Sequence, residues 1–403
     1  MFRYMKKFFQ IVKKQGLLIA VKKTVAWSKR DKRPREVVLP YNFIGDVSLS
    51  EKKISKEVKK EKVFKDHLTI NWVIPDFYIG SGGHFNIFRA IQYLESFGHK
   101  CNIYIYGGTS FGTAKDAKIV INENFFELQA DIFDNCEDMV DSDAVIATSW
   151  ETAYIVHENE NSKAKYYFVQ DFEPLFFPMG SQYIFAENTY KMGLNCITAG
   201  KWLTKKMQEY GNNSTYYDLA YDPEIYNTKV KAKRKPQILY YCRQITPRRG
   251  FEIAMLALEQ VKKKHPEIEI IFIGQKESPE VTFEYTNGGV FTHEELADLY
   301  RESMIGISLS LTNYSLLPQE MMACGLPVVE ADGDNTRAVF GQDNDYITLS
   351  SLNPKDMAKV INDLIENEDK RKILSDNALK QVKNLSWEKS ARIIEQAIKD
   401  GLK

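Results

Sequence analysis

Along residues 67–401, short apolar runs alternate with longer stretches in which apolar residues recur every three or four positions. The short runs sit in HLTINWVIPDF, GHKCNIYIYG, DAVIATSW, KAKYYFVQD, LNCITAG and STYYDLA, then again in QILYYCR and IEIIFIGQ. Their length and β-branched or aromatic content predict buried strands. Between them, HFNIFRAIQYLESFG, KWLTKKMQEYG and FEIAMLALEQVKKKHP carry helical spacing. In the last of these Phe251, Met255 and Leu258 make one apolar stripe, and Lys262 to Lys264 complement the helix dipole at its C-terminal end. Thr292 and Glu295 have the spacing of a capping box that opens HEELADLYRESM. Three helical stretches close the chain, the last led by Trp387.

Strand and helix alternating twice over, each run of domain size, predicts an α/β protein. Two doubly wound Rossmann-like domains face one another across a cleft, at 67–230 and 231–385. A Lys-rich linker at 228–236 separates them, and residues 386–403 form a terminal helix. The stretch 305–332 concentrates the pattern: strand 305–311, polar break 312–315, Pro318 in a helix's first turn, helix 319–323, Gly325 to end it, and a second strand. Such a unit aims helix-start N–H groups at an anion just past a strand's carboxyl end. Glu320 is close enough to accept hydrogen bonds from ligand hydroxyls, so a phosphate with a ribose beside it is one reading. A plain βαβ unit with a solvated Glu is the other.

Charge changes the picture at the N-terminus. The chain of 403 residues is neutral overall, yet residues 1–35 hold twelve Lys/Arg against Asp31 alone, a net of +11. Phe2, Met5, Phe9 and Val12 fall at helical steps with Arg3, Lys7 and Lys14 opposite. Residues 1–66 thus read as a basic amphipathic arm followed by a charged linker, and its partner as an anionic membrane surface rather than nucleic acid. A helix docked on the chain's own body, or a nucleic-acid contact, is the alternative. No apolar run is long enough to span a bilayer, and LLIAV is too short for a signal-peptide core. Five scattered cysteines without a CxxC spacing point to buried, reduced thiols in a cytoplasmic protein, peripheral on the inner face of the cell membrane.

Candidate chemistry lies at predicted strand ends. Gly80, Gly82 and Gly83 form a loop before a helix, but Phe85 stands where a dinucleotide fingerprint needs Gly or Ala, which argues against nicotinamide or flavin. His84 beside it reads as a helix-start residue or a catalyst. Gln170, Asp171 and Glu173 follow a strand, and Asp171 is placed to hold or activate a hydroxyl. Arg243, Arg248 and Arg249 gather in CRQITPRRG, where guanidinium forks suit a diphosphate; a solvated basic loop is the bland reading. Asp332 with Asp334, and Asp141 with Asp143, resemble metal-binding pairs, though turns are the simpler account.

Taken in order, SGGHFN, YYCRQITPRRGFE, IIFIGQ, the 291–329 stretch and the tryptophan-led last helix resemble retaining glycosyltransferases of the two-Rossmann GT-B class, family 4. Within it the likeness is to rhamnosyltransferases that extend rhamnan chains of bacterial S-layer glycans from dTDP-β-L-rhamnose. The resemblance implies a nucleotide-sugar donor in the C-terminal domain, a glycan acceptor in the N-terminal domain, a last helix crossing back to the N-terminal domain, and no cofactor or essential metal. It places Arg249, Arg243 and Asp171 in catalysis. Donor contacts fall to Arg243, Arg248, Arg249, Gln275, Thr312, Leu316, Leu317 and Glu320, with Glu320 on the ribose. Acceptor contacts fall to Gly82, Gly83, His84, Asp171 and Glu173. Two positions depart from the family: Thr312 replaces the first Glu of its Glu-x7-Glu pair, and Gln170 replaces its usual His. The expected activity is transfer of L-rhamnose or another deoxyhexose to a growing, lipid-linked cell-surface glycan. A metal-dependent transferase with another donor, or a non-catalytic glycan-binding protein, are the alternatives.

Overall fold

The computed structural model describes residues 41–45, 47–49, 66–230, 232–342 and 345–403. The membrane reading of residues 1–35 lies outside them. The described residues fall into two units, divided between Val47 and Ser48. The described part of the first contains a short helix, Asn42–Gly45.

The larger unit holds two sheets. In the first half β1 (Thr69–Pro75), α1 (Gly82–Ser96), β2 (Lys100–Tyr106), α2 (Ala114–Asn124) and β3 (Asp131–Phe133) are followed by β4 (Ser142–Ala147), α3 (Trp150–Glu158) and β5 (Ser162–Val169). Helix α4 (Ser181–Thr189), β6 (Asn195–Ala199), α5 (Lys201–Glu209) and β7 (Ser214–Tyr217) complete it. The second half contains β8 (Gln237–Tyr241), α6 (Phe251–Lys264), β9 (Glu269–Ile273), β10 (Thr286–Gly289), α7 (His293–Glu302) and β11 (Ile305–Ser308). Then come α8 (Leu317–Ala323), β12 (Val328–Ala331), α9 (Asp334–Phe340), β13 (Thr348–Ser350), α10 (Pro354–Glu366), α11 (Glu368–Val382) and α12 (Trp387–Asp400).

All strand pairs are parallel, in the orders β3-β2-β1-β4-β5-β6-β7 and β10-β9-β8-β11-β12-β13. Each sheet therefore reverses direction at its first strand, which opens a crevice beyond the carboxyl ends of β1 and β4 and of β8 and β11. Strands β4, β11 and β12 are buried along their whole length, as a sheet covered by helices on both faces requires. The second core packs Tyr240, Phe272, Leu258, Ile307 and Val329 together. Thr292 caps α7 reciprocally with Glu295, as their spacing predicts. The short edge strands β3, β10 and β13 went unread in the sequence. Each is three or four residues long and none is fully buried, so no apolar run marks it.

Helix α12 returns to the first half. The Tyr166 hydroxyl donates to the Ile398 carbonyl at 2.6 Å, the Ser390 hydroxyl donates to the Asp218 carbonyl at 2.6 Å, and His99 Nε2 meets Glu395 Oε1 at 3.1 Å.

Candidate functional site

The polar break 312–315 is the seam between the two sheets. Asn313 Nδ2 donates to the carbonyls of Gln170 and Ala199, at 2.9 and 3.0 Å, where β5 and β6 end. The Tyr314 hydroxyl accepts from the Leu219 N–H at 2.9 Å. Its ring lies so close to Gly200 that a Cβ there would sit 2.5 Å from it, and Gly200 has a φ of +88°, so glycine is required twice over. The loop between β11 and α8 is thereby docked on the carboxyl ends of the first sheet.

Beside that seam, charges from both halves converge. Asp171, past the end of β5, lies 3.6 Å from Arg248 Nε and is hydrogen-bonded to Thr312. Burial pushes its carboxyl above the ordinary range, against the pull of Arg248, Thr312 and Arg249. Arg248 also stacks 4.2 Å over Phe176. Arg249 donates from Nη1 to Ser310 Oγ at 2.9 Å. Arg243 donates to the Gly274 carbonyl at 3.1 Å and reaches the Tyr78 hydroxyl, across the cleft, at 3.5 Å. Thr312 therefore does something specific: its hydroxyl meets a carboxylate delivered from the opposite sheet.

Glu320 sits in the first turn of α8 and faces a cavity of about 190 Å³ shared by both halves. Leu316, just before α8, lines it too, and Leu317 opens the helix. Arg89 enters from α1 between the rings of Phe85, Phe126 and Trp387, at 4.8, 4.7 and 5.2 Å. Its Nε is buried without a partner. Burial raises the Glu320 carboxyl to about 7, while Arg89 and a hydrogen bond to Tyr226 pull it down. Tyr226 bonds His293 Nδ1 at 2.7 Å on the far wall. Arg89 and Tyr226 were missed in the sequence. Their only trace is an arginine on the inward face of a helix and a tyrosine just before the linker.

Other predicted residues are occupied elsewhere. Glu173 requires a correction, because it is buried in the first domain and not turned to an acceptor. Its Oε1 accepts from the Tyr167 hydroxyl at 2.5 Å and its Oε2 from the Trp150 N–H at 2.8 Å, and burial pushes its carboxyl to about 8. A charged residue in a strand-end loop reads as solvent-facing, and only the fold shows two buried donors waiting for it. His84 bonds Ser81 Oγ at 2.8 Å and the Pro75 carbonyl at 3.1 Å, and burial lowers it to about 4, so it is a neutral helix-start residue. Gly82 and Gly83 are exposed at the start of α1, and Gln170 Nε2 donates to the Gly83 carbonyl at 3.0 Å. Gln275 ties its own loop, accepting from the Gln244 N–H at 2.8 Å and donating to the Glu277 carbonyl at 2.9 Å. Of the acidic pairs, Asp332 binds Arg337 at 2.5 Å and Asp143 binds Lys163 at 2.8 Å. Among the described residues no group of three or more His, Cys, Asp or Glu is placed to hold a metal.

Residues 110–199 match the family described as WsaF, N-terminal domain, and residues 236–362 match WsaF, C-terminal domain. The two matches follow one another in chain order. It is also similar to the O-antigen biosynthesis protein RfbC of Myxococcus xanthus, with 31% identity over 253 residues. That match takes in 61% of this chain but spans only 20% of the relative's length. Among solved structures, Alr3699/HepE of Anabaena in complex with UDP and glucose has a TM-score of 0.64 at 14% identity, covering 83% of this chain and 100% of that one. A glycosyltransferase from Rickettsia africae ESF-5 gives 0.59 at 16% identity, covering 84% and 100%. With its two parallel-sheet domains, the fold is GT-B.

Proposed function

We propose that this chain is a retaining glycosyltransferase of cell-surface glycan synthesis that moves L-rhamnose from a dTDP-sugar to a growing, lipid-linked glycan. The observation that carries the reading is the junction of Asp171 with Arg248, Arg249 and Thr312 across the crevice between two Rossmann-like sheets. Cations fixed there oppose the charge that develops on a departing diphosphate, and in a half-buried site they do so more strongly than in water. The kinship with WsaF domains and with an O-antigen biosynthesis protein supports the glycan class.

In the proposed step the bond from the sugar's anomeric carbon to the leaving phosphate oxygen breaks, and the acceptor hydroxyl oxygen bonds that carbon on the same face. The hydroxyl proton passes to the leaving phosphate. Arg249, with Arg243 or Arg248, takes up the diphosphate's charge. Asp171 holds the acceptor hydroxyl, and Glu320 faces the ribose from its cavity. A 6-deoxyhexose has one hydroxyl fewer to satisfy, which agrees with Thr312 in place of a Glu. The reading requires no metal.

Purified protein incubated with dTDP-L-rhamnose and a rhamnan acceptor then releases dTDP, also in excess chelator. The same donor at a hundredfold excess over its Kd stabilises the fold by about 2.7 kcal/mol. Preference for UDP-glucose, or turnover lost with chelator, overturns the donor or the metal-free part; no binding and no release overturns the enzyme. The basic arm would hold the protein at the inner membrane face. Deleting residues 1–35 then abolishes binding to anionic vesicles and spares turnover of a soluble acceptor, and retained binding removes the arm from that role.

A further inference from the structure

Glu330 is a carboxylate where the strand pattern calls for an apolar side chain. Strand β12 is buried throughout, and Glu330, paired in register with Ser308 of β11, is 0% exposed. Its Oε1 accepts from the Ser310 N–H at 2.7 Å and from the Ala331 N–H at 2.8 Å, and its Oε2 is buried without a partner. Burying a carboxylate costs several kcal/mol unless an opposite charge and hydrogen bonds offset it. The cation acting on it is Arg249.

The two meet through one residue. Ser310 is held at three atoms by three side chains: its N–H by Glu330, its Oγ by Arg249 at 2.9 Å, and its carbonyl by Asn335 Nδ2 at 2.9 Å. Among the described residues Arg249 uses only Nη1 in hydrogen bonds to the protein, while its guanidinium lies 5.4 Å over the Tyr241 ring. One corner of the fork is tethered, and the remaining donors of a guanidinium suit phosphate oxygens.

We propose that Glu330 is a positioning residue for Arg249, its negative charge and its hold on Ser310 together fixing the guanidinium in the orientation that meets the donor's diphosphate. This rests on the transferase reading above. A purely structural role is distinct from it: two amide N–H groups at the sheet's end need an acceptor, and a glutamine's Oε1 serves both without charge.

Glu330→Gln, Ser310→Ala and the double variant separate the two. The account expects E330Q to melt no lower than wild type, since a buried charge has been removed. Its KM for the nucleotide sugar stays within about twofold, while kcat falls by about 10- to 100-fold, the effect of a small misplacement of a charged group. S310A lowers kcat likewise, and the double variant is no worse than the more damaged single one, because both act on one guanidinium. Wild-type kcat in E330Q, or additive losses in the double variant, overturns the proposal. Should E330Q not fold, S310A decides: unchanged kcat there overturns it. Wild-type turnover is the control, since its absence removes the transferase reading itself, whereas wild-type turnover with an unaffected E330Q removes only Glu330.

Discussion

The two sheets share one winding yet deploy polar residues at their carboxyl ends in opposite ways. In the first, the polar groups in the loops after β1 and β5 mostly satisfy the fold: His84 bonds Ser81 and Pro75, Gln170 bonds Gly83, and Glu173 bonds Tyr167 and Trp150. In the second, the loop after β8 brings three arginines to the cleft with few protein partners. Asp171 is the exception in the first sheet, and it is the group that meets those arginines. A shared topology thus yields one face that is closed on itself and one built to receive charge.

The largest expected effect lies on the receiving face. Arg249→Ala lowers kcat by about 10²- to 10³-fold, the usual consequence of losing one donor to developing charge, with a melting temperature near that of wild type. Asp171→Asn, on the other side of the cleft, lowers kcat/KM for the acceptor by less, about 10- to 100-fold, the worth of one charged hydrogen bond. If Asp171→Asn proves the more damaging, the asymmetry between the faces is wrongly drawn. Steady-state kinetics on both variants decides.

The closed face predicts a smaller effect, on stability. A carboxyl whose folded value lies above its unfolded one holds its proton more tightly when folded. Its contribution is full below the unfolded value and is lost as pH rises through the folded one. Burial raises Glu173 on this face to about 8, and Glu320 and Glu330 in the second half to about 7, from an ordinary 4.5. Melting temperature therefore falls as pH climbs from about 6.5 through 8, above the range in which His84, lowered by burial, contributes with the opposite sign, and each group contributes at most about 1.4 kcal/mol per pH unit. Glu173→Gln flattens that slope and leaves kcat intact. A slope unchanged by the substitution, or a loss of kcat, would return Glu173 to the acceptor side.

Most of the architecture was legible because parallel strands buried on both faces announce themselves as apolar runs, and β1, β5, β8 and β11 all do. The short edge strands β3, β10 and β13 were not, since pairing to β2, β9 and β12 supplies what their composition lacks. In the site, CRQITPRRG and Asp171 were legible from their place at strand ends. Glu173 misled because a buried carboxylate and an exposed one look alike in sequence. Glu330 lay in plain view in LPVVEA. What it grips depends on Ser310 and Arg249, and only the register of β11 against β12 brings those together.

The most direct test of the central claim is dTDP release by the purified chain from dTDP-L-rhamnose with a rhamnan acceptor, run beside Arg249→Ala. The account predicts acceptor-dependent release by wild type and a loss of at least about a hundredfold in the variant. Release at equal rates by both, or none by wild type, contradicts it.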